Sequence, residues 1–200
     1  MTSDNISSIV FSLVMACWCV FAAAFIFRKR PPKSRETKRD NAARSGLVLE
    51  AVGYAIVWMY RRPISSPFLS MGVGLEIGIA LVAVALAVGS VWMVLSAVRT
   101  LGKQWSVAAR LVEGHTLITD GPYSVVRNPI YAGMFGMMIA TGLAVSYWWI
   151  LPPAIVVFWV GTMMRVRSEE KLLREAFDNE FETYARRVPA LLPNLIRKRE

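Results

Sequence analysis

The chain has 200 residues, 55% of them hydrophobic, a mean hydropathy of +0.43 and a formal net charge of +9 at pH 7. Several apolar runs reach the roughly 20 residues that a bilayer crossing requires, which excludes an ordinary soluble domain and points to an all-α, polytopic membrane protein. The basic residues fall between and after those runs, so the charge reports topology and no nucleic-acid partner is expected.

The first run, Ile6 to Phe27, follows a segment with Asp4 and no basic residue, and a polybasic stretch succeeds it. It is expected to be a retained transmembrane helix and not a cleaved signal. Cys17 and Cys19 lie inside it on different faces, and with one histidine in the chain neither a disulfide framework nor a metal site is expected. Residues 28–44, RKRPPKSRETKRDNAAR, carry 8 basic residues and two prolines and read as a solvated loop that touches lipid headgroups.

A second run spans Gly46 to Tyr60 and contains Glu50; the link RRPISSP leads to a third, Phe68 to Val98, which contains Glu76. An ionisable group inside an apolar run is expensive and often functional, although both glutamates sit near an edge where they can also snorkel. Residues 99–128 form a polar connector that includes Trp105, expected as an interface anchor. Two more runs, Pro129 to Val145 and Ile150 to Val166, form a hairpin whose uncharged tip carries Tyr147, Trp148 and Trp149. Gly74, Gly78, Gly133 and Gly136 read as positions of close helix packing.

Five crossings place segments 28–44, 99–128 and 165–200 on one side, with 21 of the 23 basic residues. The positive-inside tendency then puts the N-terminus outside and the connector and C-terminal tail in the cytoplasm. In the tail, Leu173, Phe177, Phe181 and Tyr184 recur at helical spacing, which predicts an amphipathic helix ended by Pro189 and Pro193. The whole chain, 1–200, reads as one membrane domain: three N-terminal helices over 1–98, then connector, hairpin and tail over 99–200.

The stretch GPYSVVRNPIY, residues 121–131, opens the hairpin. Gly121-Pro122 marks a turn, Asn128 suits a helix N-cap, Pro129 suits the first helical position and Arg127 the headgroup level. The hairpin's other end carries Arg165, Arg167, Glu169 and Glu170. A hairpin brings its two ends together, so residues about forty positions apart share one small volume. Arginine at a helix N-terminus suits a carboxylate, and nearby glutamates suit a cation or ribose hydroxyls.

The order H-x-L-x-T-x-G-P-Y-x-x-V-R-x-P-x-Y-x-G from His115 to Gly133, followed by R-x-x-x-E-E and V-P-x-x-x-P, resembles the isoprenylcysteine carboxyl methyltransferase and phospholipid methyltransferase group of integral-membrane enzymes. The resemblance implies S-adenosyl-L-methionine as cofactor at the cytosolic face and an acceptor that is a prenylcysteine carboxylate, a phospholipid amine or a small thiol. It implies a cofactor site lined by His115, Leu117, Gly121, Pro122, Tyr123, Arg127, Asn128, Pro129 and Tyr131 from one side and by Glu169 and Glu170 from the other, with Arg127 and Glu170 as the catalytic pair. The family usually carries histidine where this chain has Asn128, which donates hydrogen bonds but does not titrate near neutral pH. Two other readings stand beside this one: a membrane reductase using NADPH, and a non-catalytic protein that binds anionic lipid through residues 28–44.

Overall fold

The computed structural model describes residues 3–26, 36–39, 42–102, 110–112 and 116–193. His115 and Trp105 lie outside them. Five helices carry the fold: α1 (Ser3–Ile26), α2 (Ala42–Met59), α3 (Val73–Leu101), α4 (Pro129–Val145) and α5 (Leu151–Arg187). They pack mainly as α2 on α5, α3 on α4 and α1 on α3. Among them α1 and α3 are long and apolar enough to cross a membrane, and α4 is a shorter apolar helix. Their outer faces expose Ile9, Leu13, Leu81, Val82, Val88 and Trp92, an apolar surface of the kind lipid covers.

The interior is dry and built from small and branched side chains: Val14, Val57, Ala83, Ala87, Val94, Met137, Met138 and Phe158 are fully buried. Two polar groups inside it find partners, as apolar surroundings favour. The Trp18 indole donates to Thr141 Oγ1 at 2.9 Å, and the Tyr54 hydroxyl donates to the Met134 carbonyl at 2.8 Å. Gly133 and Gly136 do sit tightly against α3. Gly74 and Gly78 face open space, so the close-packing role expected of them does not hold.

Three further differences from the sequence expectation have physical causes. The fold is all-α as expected, with one short addition: Glu36–Arg39 (β1) pairs antiparallel with Arg110–Val112 (β2), with Glu36 opposite Val112 and Arg39 opposite Arg110. The extended stretches that follow α1 and α3 in the chain thus satisfy each other's backbone groups. α3 begins at Val73 and not at Phe68, because the Glu76 carboxylate in its first turn accepts the backbone N–H groups of Phe68 at 3.1 Å and Leu69 at 2.7 Å. Glu76 thus serves as an acceptor for the preceding loop.

The tail is the third difference. It follows α5 directly, and the two helical segments join at a kink at Asp178, whose backbone (φ 39°, ψ −114°) lies in the left-handed half of conformational space. After that break Arg174 meets Glu182 at 2.8 Å and stacks 5.3 Å from the centre of the Phe181 ring. Residues eight apart on a straight helix are separated by about 12 Å of rise, so the last turns must fold back. Of the expected apolar stripe, Phe181 and Tyr184 are buried while Leu173 and Phe177 are only partly so.

At the opposite end of the bundle Arg62 is buried and caps α4. Its guanidinium donates to the carbonyls of Ser146 (2.9 Å), Leu143 (3.2 Å) and Ser66 (2.9 Å), and its backbone N–H donates to Val145 at 2.8 Å. A cation among orphan carbonyls at a helix C-terminus is doubly favourable. Arg62→Ala is expected to cost about 2 kcal/mol, from charged hydrogen bonds lost and carbonyls left unsatisfied. The measurement is the thermal unfolding midpoint of detergent-solubilised protein; an unchanged midpoint contradicts the capping role.

Candidate functional site

Gly121 takes φ 58°, a conformation that glycine adopts freely, and opens the one-turn 3-10 helix Gly121–Ser124. Pro122 and Tyr123 in that turn are buried, Val126 is fully enclosed, and the chain then enters α4 with Pro129 at its first position. The turn anchors the connector against the bundle and leaves Arg127 and Asn128 facing α5.

Every nitrogen of the Arg127 guanidinium is engaged within the protein. Its Nε and Nη2 meet Glu170 Oε1 at 2.9 and 2.8 Å, and its Nη1 donates to the Ala185 carbonyl at 2.9 Å and to the Val188 carbonyl. The backbone repeats the connection: Arg127 N–H donates to Pro189 at 2.8 Å and Asn128 N–H to Ala190 at 3.0 Å. The Tyr184 hydroxyl donates to the Tyr123 carbonyl at 2.6 Å. The folded-back end of α5 is therefore clamped onto the turn 121–128 by both side chains and main chain.

Asn128 occupies the N-cap position of α4, but its side chain makes no capping bond. Its Nδ2 reaches instead to the Ala190 carbonyl at 3.1 Å and to Glu170 Oε1 at 3.4 Å. The pair Glu170–Arg174, four apart on α5, is present at 3.5 Å, long beside the Arg127 contact. Arg165 and Glu169 are not a simple surface pair. Arg165 Nη1 lies 2.7 Å from Glu50 Oε2 on α2, and Glu169 accepts the Tyr131 hydroxyl from α4.

Burial raises the Glu169 carboxyl above its ordinary range, while the Tyr131 hydroxyl and Arg165 pull the other way. Burial likewise pushes the Tyr184 phenol up to about 12, against the pull of Arg127, and raises Tyr123 further still. The Tyr184 hydroxyl therefore stays a proton donor to Tyr123 throughout the physiological range.

Beside the clamp lies an open cleft of about 470 Å³. The connector gives it Leu117, Thr119 and Ser124, and the end of α5 gives it Glu180, Thr183, Tyr184, Arg187 and Val188. Volume and lining suit a small ligand with one anionic and one cationic end: a guanidinium, a carboxylate, three hydroxyl side chains and an aromatic face line it between them. That donor set fits a zwitterionic nucleoside such as S-adenosylmethionine.

Of the residues singled out from sequence, Arg127, Asn128 and Glu170 meet directly, Tyr131 and Glu169 meet beside them, and Leu117 faces the cleft. Pro122, Tyr123 and Pro129 are buried supports, and Gly121 turns the chain against Thr100. Sequence reading missed Glu180, Thr183 and Arg187, whose only signal was a polar run just ahead of the prolines that end the helix.

Residues 79–180 match the model of the family described as phospholipid methyltransferase. The protein-S-isoprenylcysteine O-methyltransferase of Schizosaccharomyces pombe is 31% identical over 100 residues, 49% of this chain and 42% of that one. The cobalt-zinc-cadmium resistance protein CzcN of Cupriavidus metallidurans is 36% identical over 104 residues, 48% of this chain and 44% of that one. Protein-S-isoprenylcysteine O-methyltransferase B of Arabidopsis thaliana is 29% identical over 100 residues, 49% of this chain and 51% of that one. The chain spans about half the length of the curated relatives it matches.

Proposed function

The chain belongs to the phospholipid methyltransferase family and is an integral membrane protein, and on that premise we propose that it transfers a methyl group from S-adenosylmethionine to an acceptor that reaches it through the membrane. The observation that carries this reading is the cleft between connector and folded-back α5, closed from behind by the Arg127–Glu170 clamp. The acceptor classes are a lipid amine, a prenylcysteine carboxylate or a small thiol. The isoprenylcysteine methyltransferases among its relatives support the second, and the family model supports the first.

The bound cofactor supplies a methyl group on a sulfonium, already activated for in-line displacement. What the protein contributes is alignment and exclusion of water. Arg187 is placed to hold the carboxylate end, Glu180 the amino group or ribose hydroxyls, and Leu117, Tyr184 and Val188 the base. Arg127 and Glu170, with His115, Gly121, Pro122, Tyr123, Asn128, Pro129 and Tyr131, complete the proposed site. Since the donors of Arg127 are engaged with Glu170 and two carbonyls, its part is to fix the cleft wall. Glu169, in its ionised form, faces the acceptor side through Tyr131 and is suited to take a proton from an amine or thiol.

The same reading places the connector and tail in the cytoplasm and the N-terminus outside, in line with the 21 basic residues on that side. The test uses detergent-solubilised protein. S-adenosylhomocysteine is expected to bind with micromolar affinity and NADPH not at all. Labelled methyl groups are expected to pass into one of three probes: phosphatidylethanolamine vesicles, S-prenylated N-acetylcysteine or a short alkyl thiol. Folded, monodisperse protein without affinity for S-adenosylhomocysteine contradicts the proposal.

A further inference from the structure

Glu50 lies on α2, outside the segment that matches the family, yet it occupies the centre of the seam between α2 and α5. It is 1% exposed. Its Oε2 pairs with Arg165 Nη1 at 2.7 Å, and its Oε1 accepts the Thr162 hydroxyl at 3.1 Å. One turn of helix on either side, the two backbones come so close that a Cβ on Gly46 falls 2.6 Å from the Gly161 carbonyl oxygen. Neither helix has room to slide, so the carboxylate meets Arg165 in one geometry.

Arg165 does not stop at Glu50. Its Cζ lies 4.8 Å from the centre of the Tyr131 ring on α4, a cation–π contact strengthened by burial. The Tyr131 hydroxyl in turn donates to Glu169, one turn beyond Arg165 on α5. A continuous chain of polar contacts therefore runs from α2 through α5 and α4 to the carboxylate beside the proposed reaction site.

We infer that Glu50 is a positioning residue for the methyl transfer: by holding Arg165 against Tyr131 it fixes the Tyr131 hydroxyl and, through it, the Glu169 carboxylate. This rests on the methyltransferase reading. Without the Glu50 charge, Arg165 is a buried cation that has lost the counter-ion it meets at 2.7 Å, a costly state, and among the described residues the other carboxylate acting on it is Glu169, four residues on. Arg165 then turns toward Glu169 and leaves the Tyr131 ring. The cleft lined by Leu117, Glu180, Tyr184 and Arg187 and the Arg127–Glu170 pair share no residue with this chain of contacts, and both are expected to be unaffected.

The groups that face Glu169 are Tyr131 on α4, Arg165 and Glu170 on α5, Glu50 on α2 and Tyr123 in the connector. Removing the Glu50 charge takes away one repulsion and brings an attraction nearer. Both make the Glu169 carboxylate easier to ionise, and a released Tyr131 hydroxyl makes it harder, so the acid limb of the pH–rate profile moves from its wild-type position.

The experiment measures kcat, KM, S-adenosylhomocysteine affinity and the pH profile for wild type, Glu50→Asp and Glu50→Gln, with whichever of the three acceptor probes the wild type methylates. Glu50→Gln is expected to lose about 10- to 100-fold in kcat, the scale of a small misplacement of a reacting group. S-adenosylhomocysteine affinity stays near wild type, the acid limb shifts, and Glu50→Asp recovers part of the rate. If Glu50→Gln does not fold, Glu50→Gln combined with Arg165→Gln removes both buried charges; it is expected to fold and bind S-adenosylhomocysteine while remaining slow. Wild-type kcat with an unmoved acid limb in either variant overturns the inference. An inactive wild type that binds no S-adenosylhomocysteine overturns the methyltransferase reading instead.

Discussion

Arg127→Ala is expected to detach the end of α5 from the turn 121–128 and to abolish S-adenosylhomocysteine binding. The side chain is 12% exposed and its carboxylate partner 9%, so the pair is largely screened from water. Removing the arginine leaves Glu170 with two long contacts, Asn128 Nδ2 at 3.4 Å and Arg174 at 3.5 Å. Breaking a buried pair by deleting one partner typically costs about 3–5 kcal/mol. The carbonyls of Ala185 and Val188 lose their donor at the same time.

Val188 and Tyr184 line the cleft, so a released tail takes one wall with it. Two readouts check this: faster tryptic cleavage at Arg186 and Arg187, and loss of S-adenosylhomocysteine affinity. Arg127→Lys is expected to fall between, because an ammonium cannot form the forked contact with Glu170 while also reaching the carbonyls. An alanine variant that keeps wild-type protection and affinity contradicts the clamp.

The helices and the meeting of Arg127 with Glu170, 43 positions apart, were legible in the sequence. Apolar runs announce helices by composition, and an uncharged hairpin tip forces its ends together. What Arg127 does there was not legible, because its other partners are main-chain carbonyls, which carry no sequence signature. The same holds for Arg62, which looked like a topological charge and proved to be a helix cap, and for Glu76, which accepts two backbone N–H groups. The break in α5 at Asp178 was not legible, since aspartate reaches a positive φ such as its 39° more readily than most side chains but also stands in many unbroken helices. Without that break the tail continues straight, and the cleft has no second wall.

Glycines were the other illegible feature, because sequence shows where they are and not what faces them. Gly161→Ala is expected to be among the most damaging small substitutions in the chain. A Cβ there falls 2.6 Å from the Gly46 carbonyl oxygen, 2.8 Å from Leu49 Cβ and 2.9 Å from the Glu50 backbone nitrogen. Two of these three atoms are main chain in a neighbouring helix, so relief requires α2 and α5 to separate as bodies. Overpacking of this kind costs about 1–3 kcal/mol where side chains can yield, and backbone obstruction puts Gly161 at or above the top of that range. Separation also lengthens the 2.7 Å contact between Glu50 and Arg165, so turnover is expected to fall along with stability. Gly78→Ala is the control, since nothing lies within 4 Å of its Cβ position. There the added methyl leaves packing untouched and helix propensity favours alanine by about 1 kcal/mol, so the unfolding midpoint is expected to hold or rise. Equal midpoints for the two variants contradict a backbone-tight seam, and a Gly161→Ala protein that is destabilised yet turns over at the wild-type rate separates that seam from the alignment of Glu169.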